Sequence, residues 1–414
     1  MIPSAFILWV LLWRLAISAA ISPLLAPTKD KDSAERLLEL QAKARENLEK
    51  ALEERALKTS GDYGGHGCTL ETLKIRKEWR TLSEEERRNY IDAVYCVQKK
   101  PSLLDERIVP AAKGLFDTFT TLHINQTHTI HNNFSFLHWH RYFTFVYEKV
   151  LREECGYEGE HPYWEWGYDV YEPDSSPILD GSDYSLGSNG AAVERNETWV
   201  LWPPPPFEPS REYNSEFPAG TGGGCVHTGP FSDMTVNFGP ISQASYRRLE
   251  GKFEYRPHCL RRDLNPYIGQ HYLAFNWSVW VIEESTDVMG FQARITGDRR
   301  QGHSNYQLNK FGAHGGGHYF GGGMNGAFSD LYASPQDPLF FPHHAQVDRI
   351  WAIWQWLDIE TRKDTLYGTL TYENLPPSRK GTLDDLIDLT PITDPVQIRD
   401  TVDVIDGPFC YFYE

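Results

Sequence analysis

Two clusters of histidines lie far apart in this chain, and each has the spacing of a three-imidazole metal site. The first cluster comprises His123, His131 and His140, and the second comprises His314, His318 and His344. Neutral imidazole is a good ligand for copper, zinc, iron and nickel. No cysteine lies in either cluster, so a thiolate electron-transfer site of the blue-copper kind is unsupported. Two such clusters indicate two metal ions held close together, and two adjacent copper ions could deliver two electrons to dioxygen in one step.

The second cluster begins with two histidines that are separated by three glycines, in the segment HGGGH. His314 and His318 are four residues apart, which places both rings on one face of a helix. Each intervening glycine costs about 1 kcal/mol in a helix. Something other than helix propensity must therefore hold this turn, and metal ligation could do so.

The third histidine of this cluster lies in PLFFPHHAQVDRIWAIWQWL, which predicts a buried helix from about Pro342 to Leu357. Phe340 and Asp348 lie four residues before and after His344, so both share its helical face. Asp348 is predicted to support the ligand or to pair with an arginine. His343 lies about 100° around the helix and is predicted to be a structural histidine that cannot face the same ion.

His140 lies on a helix that is predicted to run from Phe136 to Glu154, and Arg141 follows it directly. His138 should face another direction on this helix. His128 falls in a predicted loop between the first two histidines of its cluster, where spacing does not exclude it as a ligand.

The remaining chain is predicted to be mainly α-helical, with long loops and few short strands. Charged and apolar residues alternate with helical period over residues 34–57, which indicates a solvated helix at the edge of the domain. A processed pro-segment or arm over residues 21–60 is the alternative.

Ser83 and Glu86 form a capping box that predicts a helix ending near Lys100. Residues 175–235 are rich in Pro, Gly, Ser and Asn and should form loops.

Several features predict export from the cell. Residues 1–20 have the pattern of a secretory signal with cleavage after Ala20, which leaves no membrane anchor. Six cysteines predict three disulfides, although the sequence does not choose among the 15 possible pairings. Glycosylation triplets occur at Asn125, Asn133, Asn196 and Asn276. Because Asn125 and Asn133 fall inside the first histidine cluster, at least one of them is expected to be unoccupied.

The net charge of the chain limits the possible partners. A charge of −17 over 414 residues argues against nucleic acid, because binding of phosphates needs basic patches. The length allows one large domain or two small ones. The sequence does not select an oligomeric state.

Three segments together resemble the type 3 copper proteins, which are the tyrosinases, the catechol oxidases and the related haemocyanin domain. These segments are HNNFSFLHWHRYFTFVYE, HPYWEWGYD and SPQDPLFFPHHAQVDRIWAIWQ. The resemblance covers roughly Cys68 to Tyr413 and is strongest to the short secreted fungal catechol oxidases. It implies a mainly helical catalytic domain over residues 61–414, in which a central four-helix bundle holds a dinuclear copper site.

The resemblance also implies roles for individual residues. The first histidine cluster would bind one copper ion and the second cluster the other. Phe340, Arg141 and Asp348 would surround the ligands, and Leu331 and Gly315 would lie at the substrate entrance. The motif Tyr411–Tyr413 resembles the tyrosine motif that closes the catalytic domain in this family.

Three departures from the family pattern bear on the reaction. Thr129 stands where some relatives carry a cysteine that is cross-linked to a histidine, so no such crosslink is expected. Gly315 stands where tyrosinases often have an asparagine that helps a water to deprotonate a monophenol. No Asp or Glu lies between Asp298 and His314 to position that water, although Gln307 could be a neutral substitute.

The resemblance and its departures predict oxidation of ortho-diphenols to ortho-quinones, with reduction of O2 to water. The partners would be small phenols and O2, and the enzyme would be secreted. The alternatives are a tyrosinase that hydroxylates monophenols and an ortho-aminophenol oxidase. Reversible oxygen transport and a zinc hydrolase that uses one cluster alone are more distant alternatives.

Overall fold

The computed structural model describes residues 30–59, 67–195, 198–201, 215–241, 251–297, 311–324 and 326–414. The predicted signal segment, Asn196 and Gln307 lie outside these residues. Within the same ranges, no helix combines the length and the apolar character that crossing a membrane requires.

Helices and short strands alternate along the chain. The helices are α1 (Lys31–Thr59), α2 (Glu84–Lys99), α3 (Leu115–Ile130), α4 (Phe136–Cys155), α5 (Pro266–Tyr272), α6 (Phe275–Glu283), α7 (Val288–Thr296), α8 (Gly312–Gly322), α9 (Phe340–Leu357) and α10 (Ile359–Arg362). The strands are β1 (Lys74–Arg76), β2 (Gly190–Ala192), β3 (Thr198–Leu201), β4 (Ser215–Pro218), β5 (Gly223–Val226), β6 (Thr235–Val236), β7 (His258–Cys259), β8 (Leu386–Ile387), β9 (Val396–Gln397) and β10 (Tyr411–Tyr413).

The strands of the described residues form only two-stranded sheets. β1 pairs with β10 in parallel, while β2 with β5, β3 with β4, β6 with β7, and β8 with β9 are antiparallel. The fold is therefore mainly α-helical, as predicted, and the sheets serve to join loops and chain ends.

The helices α2, α4 and α9 begin and end close to the predicted positions, and the capping box of Ser83 and Glu86 is present. The prediction of a loop around His128 is wrong, because this residue lies in α3. Five threonines lower the intrinsic helix propensity of this segment. Most of its residues are buried, and tertiary packing outweighs that preference.

Helix α9 lies at the centre of the core, with every residue from Phe340 to Trp356 buried. It packs against α1, α4, α6 and α8, and α4 also contacts α3. The four helices α3, α4, α8 and α9 thus bring together the chain segments that carry the two histidine clusters.

The predicted helix near the N-terminus is confirmed, but it is more deeply packed than a solvated edge helix. One stripe of side chains at intervals of three or four residues is buried in the main core. The stripe consists of Ala34, Leu37, Leu40, Ala44, Leu48 and Leu52.

The three predicted disulfides are present, as Cys68–Cys410, Cys96–Cys155 and Cys225–Cys259. The first joins residues that are 342 positions apart in the sequence. Cys68 precedes β1 and Cys410 precedes β10, and these two strands pair with each other. The disulfide and the strand pairing together fix the tyrosine motif to the start of the domain.

Candidate metal centre

The first histidine cluster is assembled at the junction of two helices. His123 lies on α3, His131 directly follows this helix, and His140 lies on α4. The ring centroid of His131 lies 5.0 Å from that of His123 and 5.1 Å from that of His140. One nitrogen of each ring lies within 4.8 Å of one nitrogen of the other two, and all three residues are buried.

Backbone carbonyls fix the orientation of these three rings. The Nδ1 atoms of His123, His131 and His140 lie 2.7, 2.9 and 2.8 Å from the carbonyl oxygens of Tyr332, Thr127 and Phe136. A ring whose Nδ1 donates a proton in this way keeps a lone pair on Nε2 when it is neutral. The Nε2 atoms of His123 and His140 are buried and have no hydrogen-bond partner among the described residues. These nitrogens are therefore available to a metal ion.

The second cluster combines two helices in the same way. His314 and His318 lie on α8, and His344 lies on α9. The ring centroid of His314 lies 4.7 Å from that of His318 and 5.1 Å from that of His344. The Nδ1 atom of His318 is 2.6 Å from the carbonyl oxygen of Phe328. Both ring nitrogens of His344 are buried and have no partner among the described residues.

The two clusters face each other, as the sequence predicted. The rings of His140 and His344 are stacked with centroids 4.4 Å apart, and those of His131 and His314 are stacked at 5.9 Å. The arrangement suits a dinuclear metal site with neutral nitrogen ligands.

Burial keeps these imidazoles neutral. It lowers the pKa of His131 to about 4 and that of His318 to about 3. It also lowers the pKa of His140, His314 and His344 well below the usual value of a histidine. A neutral imidazole is the form that binds a metal ion, so the site is ready for ligation near pH 7.

Close packing explains the glycines of α8. A Cβ atom at Gly316 would lie 2.7 Å from the Cβ of Tyr272, and one at Gly317 would lie 2.2 Å from the Cε1 of His343. These two positions therefore accept no larger residue without rearrangement. Among the described residues, a Cβ at Gly315 would meet only Phe311, at an ordinary contact distance of 3.4 Å. Packing thus offsets the poor helix propensity of this segment, and a methyl group at position 315 would fit against the described residues.

The prediction for His343 needs correction. One of its ring nitrogens lies within 4.8 Å of one nitrogen each of His314, His318 and His344, so this residue belongs to the cluster by distance. The helical-wheel argument considered only the direction of the side chain from α9. The ring reaches α8 because Gly317 has no side chain to keep it away.

The residues predicted to surround the ligands lie near the two clusters. Asp348 accepts a hydrogen bond of 2.6 Å from Nε of Arg141, so of its two predicted roles the structure shows the pairing with an arginine. The centroid of the Phe340 ring lies 4.1 Å from that of the His344 ring and 5.4 Å from that of the His123 ring. This phenylalanine therefore packs against both clusters.

Other groups around the site were not found from the sequence. The carbonyl oxygens of Phe328 and Tyr332 orient two of the histidines, but any residue type offers a carbonyl, so no sequence signal identifies them. Arg76 lies 3.7 Å from Asp348 and donates a hydrogen bond of 3.0 Å to the hydroxyl of Tyr413. Its position depends on the pairing of β1 with β10, which the sequence did not reveal.

The predicted entrance residues are not equally close to the rings. Gly315 follows His314 directly on α8 and is half-buried. Leu331 is also half-buried, but it packs against a separate apolar cluster that includes Val109 and Phe238. Its neighbour in the sequence, Tyr332, supplies the carbonyl that orients His123.

The predicted glycosylation sites also differ. Asn125 and Asn276 are exposed. Asn133 is buried, and its amide donates hydrogen bonds to the carbonyl oxygens of Thr129 and Leu370. The folded structure therefore contradicts glycosylation at Asn133, in line with the expectation that one site of this pair is unoccupied.

Comparison with known proteins identifies the family. Residues 113–357 match the family described as the common central domain of tyrosinase, and this range includes all six predicted ligands. The chain belongs to the tyrosinase family. Its histidine clusters thus stand in the domain that this family shares.

Several relatives of this tyrosinase-family chain come from filamentous fungi. The tyrosinase-like protein orsC of Emericella nidulans is 40% identical over 324 residues, which cover 75% of this chain and 82% of the relative. The N-acetyl-6-hydroxytryptophan oxidase ivoB of the same organism is 36% identical over 372 residues. The alignment covers 84% of this chain and 94% of the relative. A solved structure of a polyphenol oxidase variant from Thermothelomyces thermophila is 36% identical, with a TM-score of 0.81. The superposition covers 92% of this chain and 98% of the polyphenol oxidase chain, so most of this chain has a counterpart in that structure.

Proposed function

We propose that this oxidase binds two copper ions and converts ortho-diphenols to ortho-quinones while reducing O2 to water. His123, His131 and His140 would hold one ion, and His314, His318 and His344 the other. The observation that carries the proposal is the pair of buried, neutral imidazole clusters that face each other. Bound copper would supply the two-electron exchange with O2.

The donor set fits copper. Each cluster of the described residues offers imidazole nitrogens without a thiolate or a carboxylate. Several of these nitrogens are buried without any hydrogen-bond partner in the described part of the chain, a costly arrangement unless a metal ion occupies the site. The hydrogen bonds from Nδ1 to backbone carbonyls hold the rings in place before the metal arrives.

The chain's own residues would also receive the substrate. Gly315 follows His314 directly on α8, and the ring of His314 meets that of Phe136 edge-on with centroids 4.7 Å apart. We infer that an aromatic substrate packs against these two rings. In the balanced reaction, two ortho-diphenols each lose two electrons and two protons, and one O2 takes up four of each to form two waters.

The side chain at position 315 supports oxidation of diphenols over hydroxylation of monophenols. An ortho-diphenol needs removal of its two hydroxyl protons, and no oxygen is inserted into its ring. Glycine at position 315 has no side-chain donor or acceptor that could hold a water for deprotonation of a monophenol. An ortho-aminophenol has the same two adjacent donor groups and is a compatible alternative substrate.

A second candidate is oxidation of a hydroxylated bicyclic aromatic. The relative named N-acetyl-6-hydroxytryptophan oxidase acts, by its name, on a substrate larger than catechol. Glycine at position 315 presents no side chain that would stand against the second ring of such a substrate at the proposed entrance. The same substrate panel tests both candidates.

The remaining predictions are part of the proposal. Residues 1–20 would be cleaved as a secretory signal, residues 61–414 would form the catalytic domain, and the protein would be extracellular. Asn125 and Asn276, both exposed, are the described positions that could carry a glycan. Three disulfides are compatible with an oxidising compartment.

The test is metal analysis and a substrate panel on copper-loaded protein. We expect about two coppers per chain, in line with two three-histidine sites, and O2 uptake with catechol that exceeds the uptake with tyrosine. The panel should include an ortho-aminophenol and a hydroxyindole. Rapid hydroxylation of tyrosine without a lag would overturn the proposed preference. One zinc per chain, or reversible O2 binding without turnover of any phenol, would overturn the oxidase proposal.

A further inference from the structure

We propose that helix α1 is a permanent part of the mature enzyme and that Gln41 is a positioning residue for α9, the helix that carries His344. The proposal rests on the proposed function, because it concerns how firmly the second copper ion is held. Helix α1 lies outside residues 113–357, which match the shared central domain.

The apolar contacts of α1 argue against a removable segment. Leu37, Leu48 and Leu52 are at most 2% exposed, and they belong to the same core cluster as the side chains of α9. Loss of α1 would leave this stripe's partners on α9 facing water. Exposing these apolar side chains to water would be unfavourable in a folded domain.

A buried polar contact joins the two helices at the centre of this interface. Gln41 is 6% exposed, and its Oε1 accepts a hydrogen bond of 2.7 Å from Nε of Arg349. The same guanidinium donates through Nη1 to Glu165 at 2.5 Å. Gln346 donates to the same carboxylate at 2.9 Å. Because Arg349 is buried, a donor that loses its acceptor there is left without water to replace it.

The position of Arg349 links this contact to the metal site. Arg349 follows His344 by five residues on α9, and its neighbour Asp348 points the other way, towards Arg141 on α4. Helix α9 is therefore held from two sides, by α4 through Asp348 and by α1 through Arg349. A shift of α9 would move His344 relative to the two ligands on α8.

Further contacts fix α1 along its length. Asn47 donates a hydrogen bond of 2.8 Å to the carbonyl of Trp356, near the end of α9. Arg36 pairs with Glu283 at 2.7 Å, near the N-terminal end of α1. The contact of Asn47 sets the register of α1 on α9, and the pair of Arg36 and Glu283 ties α1 to α6.

The first test compares substitutions at one position. Gln41→Leu keeps the size of the side chain but removes the acceptor, whereas Gln41→Glu keeps an acceptor for Arg349. Lys50→Leu places the same leucine on the exposed face of α1 as a matched control. The readout is the rate at which folded, copper-loaded protein loses copper to a chelator, with kcat and KM for an ortho-diphenol measured in parallel.

We expect Gln41→Leu to lose one of the two coppers about 5-fold faster than the parent, a typical size for coupling through a buried network. Gln41→Glu should restore the parent rate within about 2-fold, because a buried arginine retains its acceptor. Lys50→Leu should leave copper loss and activity unchanged. Equal rates for Gln41→Leu and the parent would refute the positioning role.

A second test does not depend on the folding of any point variant. A protease site is inserted between Thr59 and Gly67, and the folded, copper-loaded chain is cleaved there. We expect α1 to remain bound through gel filtration, with copper and activity retained. After mild urea has stripped α1, copper should be lost, and a synthetic peptide of residues 30–59 should restore its retention. A cleaved chain that loses α1 and keeps both coppers and full activity would refute the proposal.

The secreted protein gives a direct check on processing. Its N-terminus should lie ahead of Lys31, and an N-terminus after Thr59 would overturn the proposal. These outcomes are separable from the proposed function. A chain without a copper pair refutes the function, whereas an active two-copper enzyme that is insensitive to α1 refutes this inference alone.

Discussion

Nε of Arg141 lies 2.6 Å from Oδ1 of Asp348, and this buried ion pair joins the two helices that carry His140 and His344. Arg141 follows His140 directly, and Asp348 lies one helical turn after His344. The pair therefore fixes the distance between the two histidine clusters. A buried pair of this kind is more important for geometry than for net stability, because desolvation offsets much of its Coulomb energy.

Substitution of Asp348→Asn tests this role. The hydroxyls of Tyr411 and Tyr413 each donate to Asp348 at 2.6 Å, so the variant disrupts several buried contacts at once. It would also leave the guanidinium of Arg141 buried without its carboxylate. We expect a loss of about 3–5 kcal/mol in the free energy of unfolding. Urea denaturation measures it, with the exposed Asp92→Asn as control. A loss below about 1 kcal/mol would show that water or other side chains compensate the charge.

Alanine variants of one histidine from each cluster test the ligand assignment. His140→Ala and His344→Ala should each bind about one copper per chain and retain under about 1% of the oxidase activity, because each removes one ligand of a different ion. His138→Gln is the control, since this buried side chain contacts Thr401 and Trp351 on the other side of α4. Metal analysis of folded protein gives the answer. Two coppers in either alanine variant, or loss of copper in His138→Gln, would contradict the ligand set.

Three glycine-to-alanine variants of α8 test why this helix is rich in glycine. Propensity alone predicts that each gains about 1 kcal/mol in stability. Of the three positions, the contacts with described residues predict this gain only at Gly315, where a Cβ fits without a clash. Gly316→Ala and Gly317→Ala should instead lose about 1–3 kcal/mol, because the new methyl groups would clash with Tyr272 and His343. Thermal unfolding of the metal-free proteins shows whether each variant is more or less stable than the parent. A stabilised Gly317→Ala variant would show that the ring of His343 moves freely.

Position 315 also offers a test of substrate preference. Gly315→Asn should fold normally, since a new Cβ would lie no closer than 3.4 Å to the other side chains of the described residues. Its amide could hold a water near His314, so we expect the ratio of monophenol to diphenol activity to rise about 10-fold, the effect of about 1.4 kcal/mol on one transition state. Gly315→Ala is the control without an amide. An equal ratio in both variants would show that the water is positioned elsewhere.

The sequence identified the ligand-bearing segments because their signals are local. An apolar run with HHxxVDR predicted α9, and spacing placed Asp348 on the face of His344, either to support that ligand or to pair with an arginine. Contacts between distant segments carried no such signal. The carbonyl of Tyr332 reaches His123 only after the chain has folded, and the ring of His343 reaches α8 only because a glycine faces it. Helix α3 was missed because its threonines suit a strand or a loop, and burial decided otherwise.

Stability at low pH should depend on His161, a buried histidine away from the two clusters. Its ring is packed between Tyr90, Tyr147 and Phe341, and burial is the main reason that its pKa is lowered to about 3. An unfolded chain would bind a proton near the ordinary value of about 6.5. The unfolded state therefore binds more protons as the pH falls below 6.5, so the free energy of unfolding declines from there towards pH 3.

Between pH 7.5 and pH 5, protonation of His161 in the unfolded chain should lower the free energy of unfolding by about 2 kcal/mol. His161→Phe removes the titration and fits the aromatic surroundings, so its stability should fall less steeply over the same interval. The exposed His227→Phe serves as the control and should follow the parent. Urea denaturation of copper-loaded protein at pH 7.5, 6 and 5 gives the slopes. Parallel curves for the parent and His161→Phe would mean that His161 is protonated within the folded protein and that its burial does not keep it neutral.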